Sequence, residues 1–449
     1  MADLVDSLVI GAGPAGLAAA MALLDAGDDP LVLEAANEAG GYLGSLPEGD
    51  YLLPRGPHAL PGSAAASFQL LERLGLLERA IPARAAARRY LWQGRLVALP
   101  TGPGSFLTSS FLSLGGKLRL LSEPLRGRPS TVDPHESVLD FFTRRFGAEA
   151  ASELAAPFVN GVYAGDPSAL EARSAFPRVW DLEERAGSLV RGLVRGGRGG
   201  RKKTTARRRG LWSLPRGLGE IADAAAEVLR DRLQCGRAVV ALKDDGDAMV
   251  VETETTSHRA RRVVLAVPPP AAAPLLAAVD DESSELARGV PLAPVAVVHL
   301  GGPLDEATAP SGFGVLVHPR HELATLGMVF CSALFPERVP TGCWHSASYL
   351  GGTRRPELVE RDDDTLIETA ATEGERLLGF RPERGLAKVL RYPGAIPQLV
   401  HGHRDRITRL RERVGARTPR LRLAGNWLDG VGVEQAVASG QRAVEELAA

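Results

Sequence analysis

Cysteine is scarce in this chain of 449 residues: Cys235, Cys331 and Cys343 are the whole complement, and no two form a Cys-x-x-Cys pair. An odd, dispersed set excludes a disulfide framework and a thiolate metal site, and it fits a reducing compartment. Charge of one sign is also missing. Lys plus Arg (53) against Asp plus Glu (54) leaves a net charge of -1, so no global field recruits nucleic acid and any basic surface must be local. Long apolar runs are absent as well, since the longest, 263–279, carries four prolines and is shorter than the ~20 residues a spanning helix needs. No basic leader or cleavage site accompanies the apolar run 4–10, so the expectation is a cytoplasmic protein without a secretory signal or transmembrane segment.

What is present points to a folded, multi-domain chain. Apolar residues at 45% suffice for sizeable cores, and the length predicts about three domains. Glycine (50) and proline (32) are frequent enough to require many tight turns but fall short of a disordered composition.

The opening reads as a βαβ unit: strand 4–10, Gly-Ala-Gly-Pro-Ala-Gly at 11–16, a helix to Ala26 stopped by Gly27, and strand 31–34. Pro14 suits a first helical turn, where no amide donor is needed, and the alanines behind it allow close packing on a sheet. From 63 to 193 the spacing predicts a helical insertion, with Phe68, Leu71 and Leu74 in one segment and Val138, Leu139, Phe142 and Phe146 in another. The segment Gly196–Gly210 carries Arg198, Arg201, Lys202, Lys203, Arg207, Arg208 and Arg209 with no acid, and predicts a loop. A helix over 217–233 precedes three antiparallel strands at 238–242, 248–255 and 259–267. Further strands at 295–300, 315–318, 326–331 and 344–350 predict a second sheet, and a strand at 421–424 leads into a helix from about 432 to 447.

Gly11, Gly13 and Gly16 let backbone amides approach a pyrophosphate at the positive end of a helix that includes Pro14 and Ala15. Glu34 stands at about the spacing that holds a ribose hydroxyl, which disfavours NADP and leaves NAD and FAD open. No Ser-His-Asp set, paired carboxylates or metal-ligand spacing emerges, and no catalytic base is assignable.

The stretch from Glu34 and Ala35 through Gly40, Gly41, Tyr42 and Gly44, together with Gly425, Asn426, Gly430, Val431, Gly432 and Val433 near the end, resembles the flavin amine oxidase superfamily. Within it, Gly56-Pro57-His58-Ala59, the run Asn160 to Pro167, and Tyr392 to Gln398 are similar to the protoporphyrinogen/coproporphyrinogen oxidase family. The resemblance implies an α/β fold with a discontinuous Rossmann-like FAD domain (1–80, 211–272 and 406–449), a helical insertion facing substrate and membrane (81–210), and a mixed-sheet substrate domain (273–405). It implies non-covalent FAD bound by the residues just named, with Val239 offering backbone groups to the adenine and Tyr392 on the cofactor side. A helix starting near Gly432 directs its dipole to the flavin pyrimidine edge, where reduction places negative charge.

The implied substrate residues are His58, Gly161, Leu316, Val329 and Tyr349, the last three equally readable as ordinary strand core. The implied reaction is six-electron oxidation of protoporphyrinogen IX, with hydride passing to flavin N5 and molecular oxygen released as hydrogen peroxide. Alternatives are coproporphyrinogen III oxidation, a flavin desaturase or amine oxidase, and a flavin-binding interaction module. Implied partners are the inner face of the cell membrane as a peripheral contact, a ferrochelatase, or a second copy of the chain. Two departures stand out. Tyr42 occupies a place where many flavin amine oxidases have arginine, and His58 replaces an arginine thought to pair with a substrate propionate.

Overall fold

The computed structural model describes residues 4–84, 89–100, 102–129, 131–192, 208–304, 309–381 and 385–448. Up to residue 207, the basic segment 196–210 lies outside them. The chain divides into two compact units, Met1–Pro82 with Arg207–Pro291 and His403–Ala449, and Ala83–Ala206 with Leu292–Gly402.

In the first unit, the apolar strand Leu4–Ile10 pairs in parallel with Pro30–Leu33 on one side and with Ser257–Leu265 on the other. The second neighbour changes partner along its free edge. Its first half is antiparallel to Met249–Thr253 of the ribbon Val239–Asp244/Met249–Thr253, and its last residues are parallel to Leu421–Leu423. A parallel core assembled from the start, middle and end of the chain results, buried on both faces as parallel sheets require. The helix Pro14–Asp25 covers one face and meets the C-terminal helix Val433–Ala448 so closely that a Cβ on Gly440 would lie 2.1 Å from the Ala15 carbonyl oxygen. Small residues on both helices make that approach feasible.

The apolar run 263–279 is a strand end followed by the helix Pro269–Leu276, with proline at its first positions where no amide donor is lost. This helix and the next, Asp281–Arg288, belong to the first unit, so the expected boundary at 272/273 moves to 291/292. Packing explains the shift: Ala272, Leu275, Leu276 and Ala287 share a core with Leu8, Ile10, Ile407, Leu410 and Val414. Asp280 also accepts from Arg413 (2.8 Å) and pairs with Arg417 (2.6 Å) of the helix His403–Arg417.

The second unit is built on a sheet ordered Leu386–Pro397, Leu292–Pro303, Cys343–Gly351, Thr325–Val329, Gly314–Val317, Arg89–Trp92 and Leu96–Ala98. All neighbours are antiparallel except Gly314–Val317 and Arg89–Trp92. The helix Asp363–Leu378 covers one face through Leu366, Ala370 and Leu377. Two expectations are corrected here, and one strand is added. Residues 89–98 are a hairpin turning at Gly94 (φ +79°), not part of a helical insertion, because their sheet partner lies more than two hundred residues away. The stretch around Tyr392 is a 12-residue edge strand, where Pro393 at a bulge removes no ladder bond. The insertion and the second sheet also form one unit rather than two.

Candidate functional site

The fingerprint glycines do three different jobs. Gly11 has φ +98°, and a Cβ there would lie 2.7 Å from the Ala266 carbonyl oxygen, so it serves the turn itself. Gly16 allows the helix to sit on that turn, since its Cβ would fall 1.8 Å from the Gly11 oxygen. A Cβ on Gly13 meets no protein atom within 4 Å. The space in front of Gly13 opens at the N-terminus of Pro14–Asp25, where no side chain caps the helix and no acid stands in the first turn. An uncompensated helix dipole beside open space fits a pyrophosphate.

Glu34 directly follows the strand Pro30–Leu33. Its carboxylate accepts from the amides of Ala12 (2.6 Å) and Ala36 (2.8 Å), which orients it beside the fingerprint turn. Its backbone amide donates to the Gln234 carbonyl and its carbonyl accepts from Arg237, so the segment entering Val239–Asp244 runs alongside Glu34 and Ala35. Val239 opens that strand next to a register shift. Glu34→Ala is expected to weaken FAD binding about tenfold to a hundredfold, the size of one lost charge-assisted hydrogen bond plus a loosened turn. Titration of apoprotein with FAD checks this, and unchanged affinity would remove Glu34 from the site.

The second glycine stretch folds back on the first. The Gly40 amide donates to the Ala12 carbonyl (2.8 Å), and a Cβ on Gly41 would come 3.5 Å from the Gly13 Cα. Gly44 accepts from the Arg55 amide at 2.9 Å, and a Cβ on Gly56 would meet the Tyr42 carbonyl oxygen at 2.9 Å. The stretches 40–44 and 56–59 are thereby adjacent, with His58 buried and Tyr42, Pro57 and Ala59 at least partly exposed. Reading the sequence missed Ser45, Gly217 and Gly219, which pack on this turn. The signal was Gly217-Leu-Gly219 ahead of a helix.

At the C-terminal end, Gly425 donates to Ser439 Oγ (3.1 Å), and Asn426 Nδ2 donates to the Val431 carbonyl (3.4 Å). Gly430 has φ +137°, and Val433 begins the last helix after Val431 and Gly432. Glu434 in its first turn accepts from the amides of Ala66 (3.1 Å) and Ser67 (2.9 Å), so that acid caps the helix Ala65–Arg73.

In the second unit, sheet register decides which candidates meet. Leu316 and Tyr349 both pair with Gly327, which puts them in one row on one face, and Val329, two residues along, shares it. The other face, with Val315, Val317 and Met328, is core. Gly161 lies directly against Leu316: a Cβ there would be 2.4 Å from Leu316 Cδ2. The neighbouring Asn160 donates to the carbonyls of Val317 (3.0 Å) and Leu326 (3.5 Å) and fixes the helix Ala156–Tyr163 on the sheet. Gly165 packs on the Gln398 side chain, whose amide donates to the Tyr163 carbonyl (2.8 Å). The run 160–167 therefore joins this helix to two parts of the sheet unit.

Tyr392 stands opposite Val295 on the edge strand of this unit. Unforeseen on the Leu316 face are Ala347 and His299, whose Nδ1 lies 3.0 Å from His345 Nε2. Burial pushes the Tyr349 phenol above its ordinary range and the Cys331 thiol up to about 12, so both stay protonated at neutral pH. Among the described residues, no group of three or more His, Cys, Asp or Glu is placed to hold a metal.

A parallel sheet, an open glycine turn under a helix N-terminus and an acid at the next strand's end define a dinucleotide-binding protein. The family model for flavin containing amine oxidoreductases matches residues 14–448, and the chain belongs to that family. It is an FAD-dependent oxidoreductase. A mitochondrial protoporphyrinogen oxidase of Nicotiana tabacum is 32% identical over 97% of this chain and 93% of its own length. The coproporphyrinogen III oxidase of Bacillus subtilis is 26% identical over 98% and 97%. A crystal structure of a candidate protoporphyrinogen oxidase from Exiguobacterium superposes with a TM-score of 0.83 at 24% identity, covering 99% of each chain.

Proposed function

We propose that this flavoenzyme oxidises protoporphyrinogen IX to protoporphyrin IX. The observation that carries the reading is full-length likeness to a protoporphyrinogen oxidase at 32% identity. When bound, FAD would supply the two-electron acceptor: over three rounds three bridging carbons would each lose a hydride, two pyrrole nitrogens and the fourth bridging carbon would each lose a proton, and three dioxygen molecules would take up the three pairs as hydrogen peroxide.

The chain's share is holding and orienting. Gly11, Gly13, Gly16 and Glu34 hold the dinucleotide, with the 40–44 turn closing over the same place and Gly430 to Val433 completing the cofactor set. Leu316, Val329 and Tyr349, with Gly161 flush against the first, offer an apolar wall to the macrocycle. A neutral Tyr349 phenol adds no charge to that wall.

Such a wall suits vinyl groups. Protoporphyrinogen carries two propionates and coproporphyrinogen four, and a buried carboxylate without a partner costs several kcal/mol. The expected kcat/KM therefore favours protoporphyrinogen IX by about tenfold or more, ~1.4 kcal/mol of discrimination. Anaerobic bleaching of the bound flavin by each porphyrinogen, followed by oxygen uptake, tests both statements. No bleaching by either substrate would sink the proposal. Likeness to the Bacillus subtilis coproporphyrinogen III oxidase supports the second reading, and equal or reversed kcat/KM values would select it.

A further inference from the structure

The stretch from Gly425 to Glu434 carries two charged residues, Asp429 and Glu434, and both are acids. They flank the turn 430–433, which the proposed function gives to the pyrimidine edge of the flavin, where reduction adds negative charge. Two uncompensated carboxylates beside that edge would oppose the reduced cofactor. The structure removes the conflict at each of them.

Glu434 is engaged by another helix. It accepts from the Ala66 and Ser67 amides and from Ser67 Oγ (2.8 Å), at the positive end of Ala65–Arg73. Asp429 is matched by two guanidinium groups. Arg411 donates to both of its oxygens, Nη1 to Oδ1 at 2.9 Å and Nη2 to Oδ2 at 2.6 Å, and Arg442 Nη1 donates to Oδ2 at 2.7 Å. Burial would raise this carboxyl, but the Arg411 fork and the Arg442 charge outweigh burial and hold it below its usual range, so Asp429 is ionised and compensated at neutral pH.

The same contacts brace the turn. Asp429 ends the short helix Asn426–Asp429, Arg411 comes from His403–Arg417, and Arg442 belongs to Val433–Ala448, the helix that the turn opens. The residue ahead of Gly430 is thereby tied both to the helix that follows the turn and to a second one. Trp427 Nε1 donates to the Val267 carbonyl (3.1 Å), and His403 Nε2 lies 3.3 Å from the Leu428 carbonyl oxygen. The side chains of Arg411, Asp429 and Arg442 are 27–43% exposed, and ion pairs so exposed contribute only about 0–1 kcal/mol to stability. Fixing the turn and cancelling its charge are the larger effects.

We propose that Arg411 and Arg442, acting through Asp429, are positioning residues for the flavin: they hold the 430–433 turn and neutralise the carboxylate beside it, which raises the reduction potential of the bound cofactor. This rests on the assignment of 430–433 to the flavin and is independent of which porphyrinogen is oxidised.

The test is anaerobic spectroscopic titration of bound FAD against a reference dye in the wild-type holoprotein, in Arg411→Met and in Arg411→Met/Asp429→Asn. In Arg411→Met the carboxylate keeps only Arg442, so a looser turn and a less compensated negative charge both disfavour the reduced flavin. Binding of reduced relative to oxidised flavin should weaken about tenfold, a potential ~30 mV lower for a two-electron couple. Removing the carboxylate as well should restore most of that shift, which a merely structural loosening would not allow. Arg442→Met leaves the Arg411 fork intact and should shift the potential in the same direction by less; it takes the place of Arg411→Met if that variant yields no soluble holoprotein. An unchanged potential in the arginine variants, or a shift that Asp429→Asn deepens, overturns the proposal. The dye titration needs no porphyrinogen, so its failure is distinct from failure of the proposed substrate, which the bleaching experiment reads.

Discussion

Replacing Gly13 by valine is expected to leave the chain folded and to strip it of flavin. Gly13 has φ −73° and ψ −178°, a conformation open to any residue, and its Cβ would meet no protein atom within 4 Å. Added methyl groups would fill only the space in front of the helix N-terminus, where the pyrophosphate is to approach the backbone. FAD affinity should fall by roughly a hundredfold or more, about 3 kcal/mol. Far-ultraviolet circular dichroism and the thermal midpoint should match those of wild-type apoprotein. Gly16→Val is the contrasting variant. Its Cβ would stand 1.8 Å from the Gly11 oxygen, so helix and turn cannot coexist as they are, and the expected result is loss of soluble protein. A yellow Gly13→Val protein with normal flavin content would falsify the assignment of that space to the cofactor.

The second large effect is expected in the other unit and leaves the flavin alone. Arg145 is 1% exposed and ion-paired to Glu123, which is 0% exposed, and to Glu183 at 3.2 Å. Glu123 also accepts from Ser188 Oγ (2.7 Å) and from the amides of Leu189 (2.9 Å) and Val190 (3.2 Å), tying three chain segments together. Arg145→Met leaves buried carboxylate charge without its cation, a change that costs about 3–5 kcal/mol. At about 2–4 °C per kcal/mol for a unit of this size, the melting midpoint should drop by ~6–20 °C. Flavin per folded chain should be unchanged, because the fingerprint lies in the first unit. Pairing Arg145→Met with Glu123→Gln should recover part of the loss, since removing both charges leaves less to compensate. A shift under ~2 °C would mean the network is more solvated than its burial indicates.

The cofactor half was legible because its demands are local. A strand, three glycines, a proline at the first helical position and an acid at the next strand's end fall within one stretch from Leu4 to Glu34, and each has a backbone reason written into its type. Other parts were misread where the deciding partner is remote. Arg89–Trp92 has a pattern that a helical context can absorb, and it becomes a strand by pairing with Gly314–Val317. The strand around Tyr392 was not foreseen, and Pro393 is accommodated there because the segment is an edge with a bulge.

By itself the sequence determined the dinucleotide turn, since it rests on residue types at fixed short spacings, and the resemblance of its motifs implied the flavin family and the discontinuous first domain. Only the tertiary structure decided that Leu316, Val329 and Tyr349 share a sheet face with Gly161 set against it, and that residues 269–288 join the first unit. It also decided that Leu107, Leu114, Leu118, Leu121 and Leu125 face outward while Leu112 and Leu120 pack inward. The reason is the same in each case: spacing within a segment sets which side chains lie on one side of it, but which side is buried depends on neighbours that arrive from distant parts of the chain.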